Sequence, residues 1–183
     1  AKGGKSPKGA KLAAAKAGKP AKAVEPLPKT VAQVEEWVLA SRDNGRLPFA
    51  IVDKVAAKVF VFEGDGKLRG AAPALLGYAR GDNSTPGVGD REMSAIKPGE
   101  RTTPAGRFLA GFGPAQGHQD KVLWVDYATA ISIHPVVTAH PKERRPQRLK
   151  SPTPKDNRIT YGCINVSAAF YENVVRRTFT GTK

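Results

Sequence analysis

The chain predicts a mainly β domain flanked by two helices, on three observations. Apolar residues alternate with period two over several short runs from Phe49 onward, Gly- and Asp-rich turns separate those runs, and helical spacing is confined to one stretch before them and one after. The 183 residues suit one domain with a tail, and the 40% apolar content supports a core. The formal charge of +14 is unevenly spread. Residues 1–30 carry eight lysines against Glu25, a net of +7, which leaves +7 for the remainder. No apolar run is long enough to span a bilayer.

Residues 1–28, built from Lys, Ala, Gly and Pro, hold too few large aliphatics to offset the entropy of ordering. They read as a disordered tail or linker: a solvated spacer, or a tether to an anionic wall polymer or membrane surface. Residues 29–183 form the single domain. Thr30-Val31-Ala32-Gln33 fits a capping box, and Val31, Val34, Trp37 and Val38 form an apolar stripe that Asn44-Gly45 ends. Packing is the expected use of that stripe.

Strands are predicted over 49–53, 59–63 and 67–72, with Gly64-Asp65-Gly66 as a hairpin turn. The Gly64-Asp65-Gly66-Lys67 run lacks the spacing and the terminal Ser or Thr of a phosphate loop. Residues 78–106 have the composition of a long surface loop and lead into a strand over 107–111, followed by strands over 121–125 and 130–134. A second polar stretch, 135–158, carries seven Lys and Arg against Glu143 and Asp156, a net of +5. Ser167 caps a helix over 168–177, with Phe170, Val174 and Val175 inward and Arg176-Arg177 at its negative end.

Cys163 is the single cysteine, so an internal disulfide is excluded and the choice is between a buried small hydrophobe and a reactive thiol. The start at Ala1 is consistent with a removed export signal, and an unpaired cysteine in an exported protein points to reactivity. Gly162 permits a turn that brings amides close to a ligand, and a helix N-terminus is expected about one turn after Cys163. Both would favour a thiolate and an oxyanion. A thiol nucleophile needs a base. Of three histidines, His118 falls in a turn, His134 closes a strand on the same face as Ser132, and His140 lies in the basic stretch as the rival. One cysteine and scattered histidines make no metal site, and no cofactor is expected.

These residues carry a resemblance. Ile131-Ser132-Ile133-His134, a loop, and Thr160-Tyr161-Gly162-Cys163-Ile164-Asn165 resemble the active-site signature of the L,D-transpeptidase catalytic domain (YkuD-type), a His, a loop and [Ser/Thr]-His-Gly-Cys-x-[Asn/Arg]. Thr103-Pro104-Ala105-Gly106-Arg107-Phe108 is similar to the family's Thr-Pro-x-Gly-x-Phe stretch, and residues 49–77 to its opening strands. The likeness covers residues 48–178. It implies a YkuD-like β-sandwich with flanking helices and long active-site loops. It implies Cys163 as nucleophile, His134 as base, Gly162 and neighbouring amides as oxyanion hole, and Thr160 and Asn165 as shapers of the turn. The pattern's second histidine is replaced by Tyr161, and the stretch after His134 is longer than usual.

The implied activity is a murein L,D-transpeptidase. The thiol takes the acyl group of meso-diaminopimelate from a tetrapeptide stem of peptidoglycan and passes it to an acceptor amine, in the periplasm or outside the cell. Arg144, Arg145 and Arg148 are candidates for binding a stem carboxylate. An L,D-carboxypeptidase or amidase on the same stems is the alternative within hydrolases. A non-catalytic polyanion-binding protein is the alternative outside enzymes, although nucleic acid is not the expected partner.

Overall fold

A computed structural model describes residues 25–115 and 121–180. His118 and residues 1–24 of the basic segment lie outside them. Strand and helix are comparable in amount, about 26% and 30%, so the fold is mixed α and β with several sheets. The excess over the expected helix comes from the two long polar stretches, which carry short 3-10 turns and one further helix.

The first helix, α1 (Lys29–Ser41), starts one residue before the expected capping box, with Pro28 at the N-cap and no side-chain cap. Proline presets a backbone angle close to helical and has no amide hydrogen to leave unpaired. Arg42, in the left-handed conformation, closes the helix as its N–H and that of Asp43 return to Leu39 and Val38 carbonyls. Only Val31 and Val38 of the stripe are buried, whereas Val34 and Trp37 are 44% and 55% exposed. Those two line an open groove of about 480 Å3 together with residues 103–110, so half of the stripe stays partly exposed.

A meander follows: β1 (Phe49–Asp53), β2 (Lys58–Phe62) and β3 (Leu68–Pro73), antiparallel in the order β1-β2-β3. The Glu63 amide donates to Lys67, and Gly66 takes a φ of 89° in the turn. Central β2 is apolar on both faces. Phe60 and Phe62 pack with Val31 and Leu27 toward α1, which draws residue 27 of the expected tail into the fold. Val59 and Val61 face the main core.

Strand β4 (Leu76–Gly77) pairs in parallel with β8 (Arg158–Thr160). The remaining sheet has the order β5-β6-β7-β9, with β5 (Gly111–Gly113), β6 (Val122–Asp126), β7 (Ile131–Pro135) and β9 (Ile164–Val166). The expected strand over 107–111 is therefore displaced to its last residue and beyond. Leu123, Ile133, Ile164 and Val166 turn inward to join Val59, Val61 and Leu76 in the main core. Period two then places Ser132, His134 and Asn165 on the outer face of this sheet.

Ser167 caps the last helical segment through the Phe170 amide at 3.2 Å. The segment runs as α3 (Ala168–Phe170), a π-helical stretch (Tyr171–Arg176) and α4 (Arg177–Phe179). Tyr171, which the helical periodicity did not single out, is its largest fully buried residue at 1% exposed, and its hydroxyl donates to the Lys121 carbonyl at 2.9 Å. Tyr171→Ala should lower unfolding stability by about 3–5 kcal/mol and Tyr171→Phe by about 1 kcal/mol, read from urea midpoints. Equal losses would mean that the ring contributes no packing.

Candidate active site

The two halves of the motif meet because β7 and β9 run in parallel, with Ile133 opposite Ile164, His134 opposite Asn165 and Pro135 opposite Val166. One step earlier the same register sets Ser132 against Cys163, and their side chains lie 3.7 Å apart, Oγ to Sγ. Ser132, His134, Cys163 and Asn165 thus form the corners of a quadrilateral on one face, with thiol and imidazole on its diagonal. His140 is exposed, at the start of a 3-10 turn (Pro141–Glu143).

The cysteine turn is held from three sides. Thr160, 2% exposed, donates from its hydroxyl to the Cys163 carbonyl at 2.6 Å and accepts from the Gly162 amide at 3.1 Å. Thr103 donates to the Gly162 carbonyl at 2.7 Å and accepts from the Gly77 amide at 2.9 Å, which ties the turn to β4. Gly162 has a φ of 136°, and a Cβ there would lie 2.5 Å from Ile131 Cδ1 and 2.8 Å from the Thr102 carbonyl oxygen. No other residue type meets both conditions without distortion. Because the Gly162 amide donates to Thr160, it does not point toward an oxyanion; the neighbouring amides of Tyr161 and Cys163 are the remaining donors of the turn.

The helix expected about one turn after Cys163 does begin there, at Ala168 with Ser167 as its cap, but β9 stands between it and the thiol. Burial dominates at the sulfur and pushes the Cys163 thiol above its ordinary value. Hydrogen bonds from the Ser132 backbone and side chain oppose the rise, as does the charge of Arg145. The thiol donates to the Ala130 carbonyl at 3.5 Å, a contact that suits the protonated form.

His134, 7% exposed, has Nδ1 at 2.8 Å from the Pro135 carbonyl oxygen and Nε2 at 3.1 Å from Asn165 Nδ2. The carbonyl orients the ring. Asn165, fully buried, also exchanges backbone hydrogen bonds with Leu75. Its side chain was expected only to shape the turn, and its contact with the imidazole was not foreseen. Ser132 was visible as a same-face neighbour two residues before His134, but no role attached to it.

The three arginines divide. Arg145, 9% exposed, opens helix α2 (Arg145–Leu149) and donates from Nε to Glu143 at 2.6 Å and from Nη1 to Asn165 Oδ1 at 2.9 Å. Arg148 donates to the Glu143 and Asp156 carbonyls at 2.8 and 2.9 Å, fastening α2 to the 3-10 turn Pro154–Asn157. Arg144 is exposed. Of the candidates for a substrate carboxylate, two are therefore engaged within the fold. Tyr161 lies under the Arg101 guanidinium, 4.0 Å from its ring centroid.

No family model, curated protein or solved structure matches the chain.

Alkylation of Cys163 by iodoacetamide should follow a pH profile with its midpoint above the value of about 8.5 for a free cysteine. Ser132→Ala should move the midpoint further up, because a hydrogen bond that favours the thiolate is lost. A wild-type midpoint below that of free cysteine would show that the site stabilises the thiolate instead.

Proposed function

We propose that the chain is a peptidoglycan L,D-transpeptidase of the YkuD type, an exported cysteine acyltransferase. The observation that supports it most is the shared face of β7 and β9, where a cysteine on a glycine-dependent turn lies diagonal to an imidazole oriented by a backbone carbonyl. That combination supplies nucleophile, base and orienting group. The hydrogen bond from Thr103, within the Thr-Pro-x-Gly-x-Phe stretch, to the turn adds support, since it joins both motifs in one site.

In the proposed reaction, His134 Nε2 takes the Cys163 proton and the thiolate attacks the carbonyl carbon at the L-centre of meso-diaminopimelate. The Tyr161 and Cys163 amides receive the developing oxyanion. As the intermediate collapses, the carbon–nitrogen bond breaks and the imidazolium proton passes to the departing D-alanine amine. The acceptor amine then attacks the thioester, loses a proton to His134, and the sulfur leaves to recover that proton. Arg144 is the exposed member of its trio, and in the proposed reaction its role is to meet a stem carboxylate. The lysines of residues 1–28 fit a spacer that associates with an anionic wall.

Intact-protein mass spectrometry with a carbapenem, whose strained amide a thiolate opens, should give one covalent adduct that Cys163→Ala abolishes. Absence of any adduct, together with no reaction toward a small thiol reagent, would overturn the enzymatic reading. His134→Ala should slow acylation by about 10²–10⁴-fold. His140→Ala should retain at least about a tenth of the rate, and the reverse pattern would move the base to His140. With tetrapeptide stems and a saturating acceptor amine, cross-linked product should exceed free tripeptide; dominance of tripeptide would make the protein a hydrolase.

A further inference from the structure

The buried chain of polar groups behind His134 begins at a residue with no choice of role. Arg145 has only donors and keeps its charge, so whatever faces its Nη1 must accept. The atom facing it is therefore the Asn165 side-chain oxygen, at 2.9 Å. The same amide must then turn its NH2 toward His134 Nε2, 3.1 Å away. An NH2 donor is met only by a ring nitrogen without a proton. The proton of the neutral ring accordingly sits on Nδ1, where it meets the acceptor-only Pro135 carbonyl at 2.8 Å. Each assignment forces the next, and Arg145 fixes the first.

We propose that Arg145, acting through Asn165, is the positioning residue that sets the His134 tautomer and keeps Nε2 as the basic nitrogen. The proposal rests on the reading of His134 as the base and adds to it the side chains that prepare that base. Glu143 completes the chain by holding Arg145 Nε at 2.6 Å, with the Arg145 side chain only 10% exposed. The ion pair both fixes the guanidinium plane and offsets its charge, which removes Arg145 from the set of groups that could receive a substrate carboxylate. Leu149, buried one turn along α2, and the Arg148 contacts to Glu143 and Asp156 keep the helix in register. The basic stretch between β7 and β8 is thus a frame for one hydrogen bond.

Catalysis needs Nε2 to exchange donors. Asn165 and Cys163 project from the same face two residues apart, so the thiol proton can replace the Asn165 N–H at that nitrogen without a change of tautomer. Once Nε2 is protonated it no longer accepts from Asn165, and the proton is directed onward to the leaving amine. With the other tautomer the lone pair would face Pro135, and neither step could occur.

The test is the imidazole 15N spectrum of the whole protein, with His134 signals identified by their loss in His134→Gln. In wild type, the pyridine-type resonance should belong to Nε2 and the pyrrole-type to Nδ1. In Arg145→Met and in Asn165→Leu, the two should move toward an average, and acylation by a carbapenem should slow by about tenfold or more at unchanged saturation. Arg145→Lys, which can reach Asn165 or Glu143 but not both, should recover part of each effect. A wild-type ring protonated on Nε2, or averaged, overturns the proposal without any variant. So does an unchanged tautomer in folded Arg145→Met. If wild type shows the Nδ1–H ring but Cys163 takes no acyl group, the transferase reading fails while the tautomer assignment stands.

Discussion

The parallel pairing of β7 with β9 is the constraint on which the rest of the structure depends. Strands that run the same way cannot be joined by a tight turn, so the chain must leave the end of β7 and return to the start of β9. The stretch 136–163 makes that return. It contains α2, three-residue β8 and the cysteine turn, and each has a task set by the crossover. Strand β8 pairs with β4 and brings Thr160 to the turn; α2 brings Arg145 over the outer face. An antiparallel β7–β9 pair would have allowed a short connection but would have offered no frame for the histidine. The length and charge of the basic stretch follow from this geometry as much as from any partner.

Burial on that face has two opposing effects on chemistry. Dry surroundings strengthen each hydrogen bond from Thr160, Thr103 and Asn165, which keeps the turn and the ring in one arrangement. The same surroundings disfavour the thiolate, and neither Ser132 nor Arg145 reverses that. The resting thiol therefore keeps its proton. Each unit of pKa difference corresponds to about 1.4 kcal/mol, so making the thiolate costs free energy, which in the proposed reaction binding of the donor must offset. Such a site differs from one with a standing thiolate–imidazolium pair: it trades idle reactivity for a thiolate that is formed in the act of proton transfer. Protection from adventitious oxidation follows, because oxidants attack the thiolate far faster than the thiol.

Much of the scaffold was legible because its causes are local. Alternation over 49–53 and 59–63, the turn at Gly66 and the Ser167 cap each express preferences of a few neighbouring residues. Strands β8 and β9 were not legible, since three residues between a basic stretch and a cysteine turn have no period of their own. They exist because β4 and β7 offer backbone partners. Helix α2 carries a proline near its start and four charged or polar neighbours, and Arg148 and Leu149 hold it in place only through distant groups. The residues between Cys163 and Ser167 have the same origin: they read as a lead-in to the helix, whereas pairing with Ile133 and Pro135 made them a strand. At the site, spacing identified Cys163 and His134, but the contact of Arg145 with Asn165 joins residues twenty apart and required the fold.

Tyr161 shows how one departure from a motif can be absorbed. A phenol has no ring nitrogen to take up a proton, so the position contributes no second imidazole. Its ring instead carries the Arg101 guanidinium, a contact in a class worth roughly 0.5–2 kcal/mol. Arg101 also donates from Nε to the Ile96 carbonyl at 3.1 Å, and its own carbonyl accepts from the Ala79 amide at 2.9 Å. The stretch 78–106, which Arg91–Glu100 further braces at 3.0 Å, is thereby tied to the cysteine turn. Where the resemblance implies an imidazole, the turn thus has a fixed cation held against a flat ring. Among the described residues, His134 is then the one imidazole in register with the cysteine strand, so in the proposed reaction proton uptake and proton delivery converge on a single nitrogen. A site with one imidazole has more need of a preset tautomer than a site with two, and a buried guanidinium is well suited to set it, because it does not change its protonation state as the reaction proceeds.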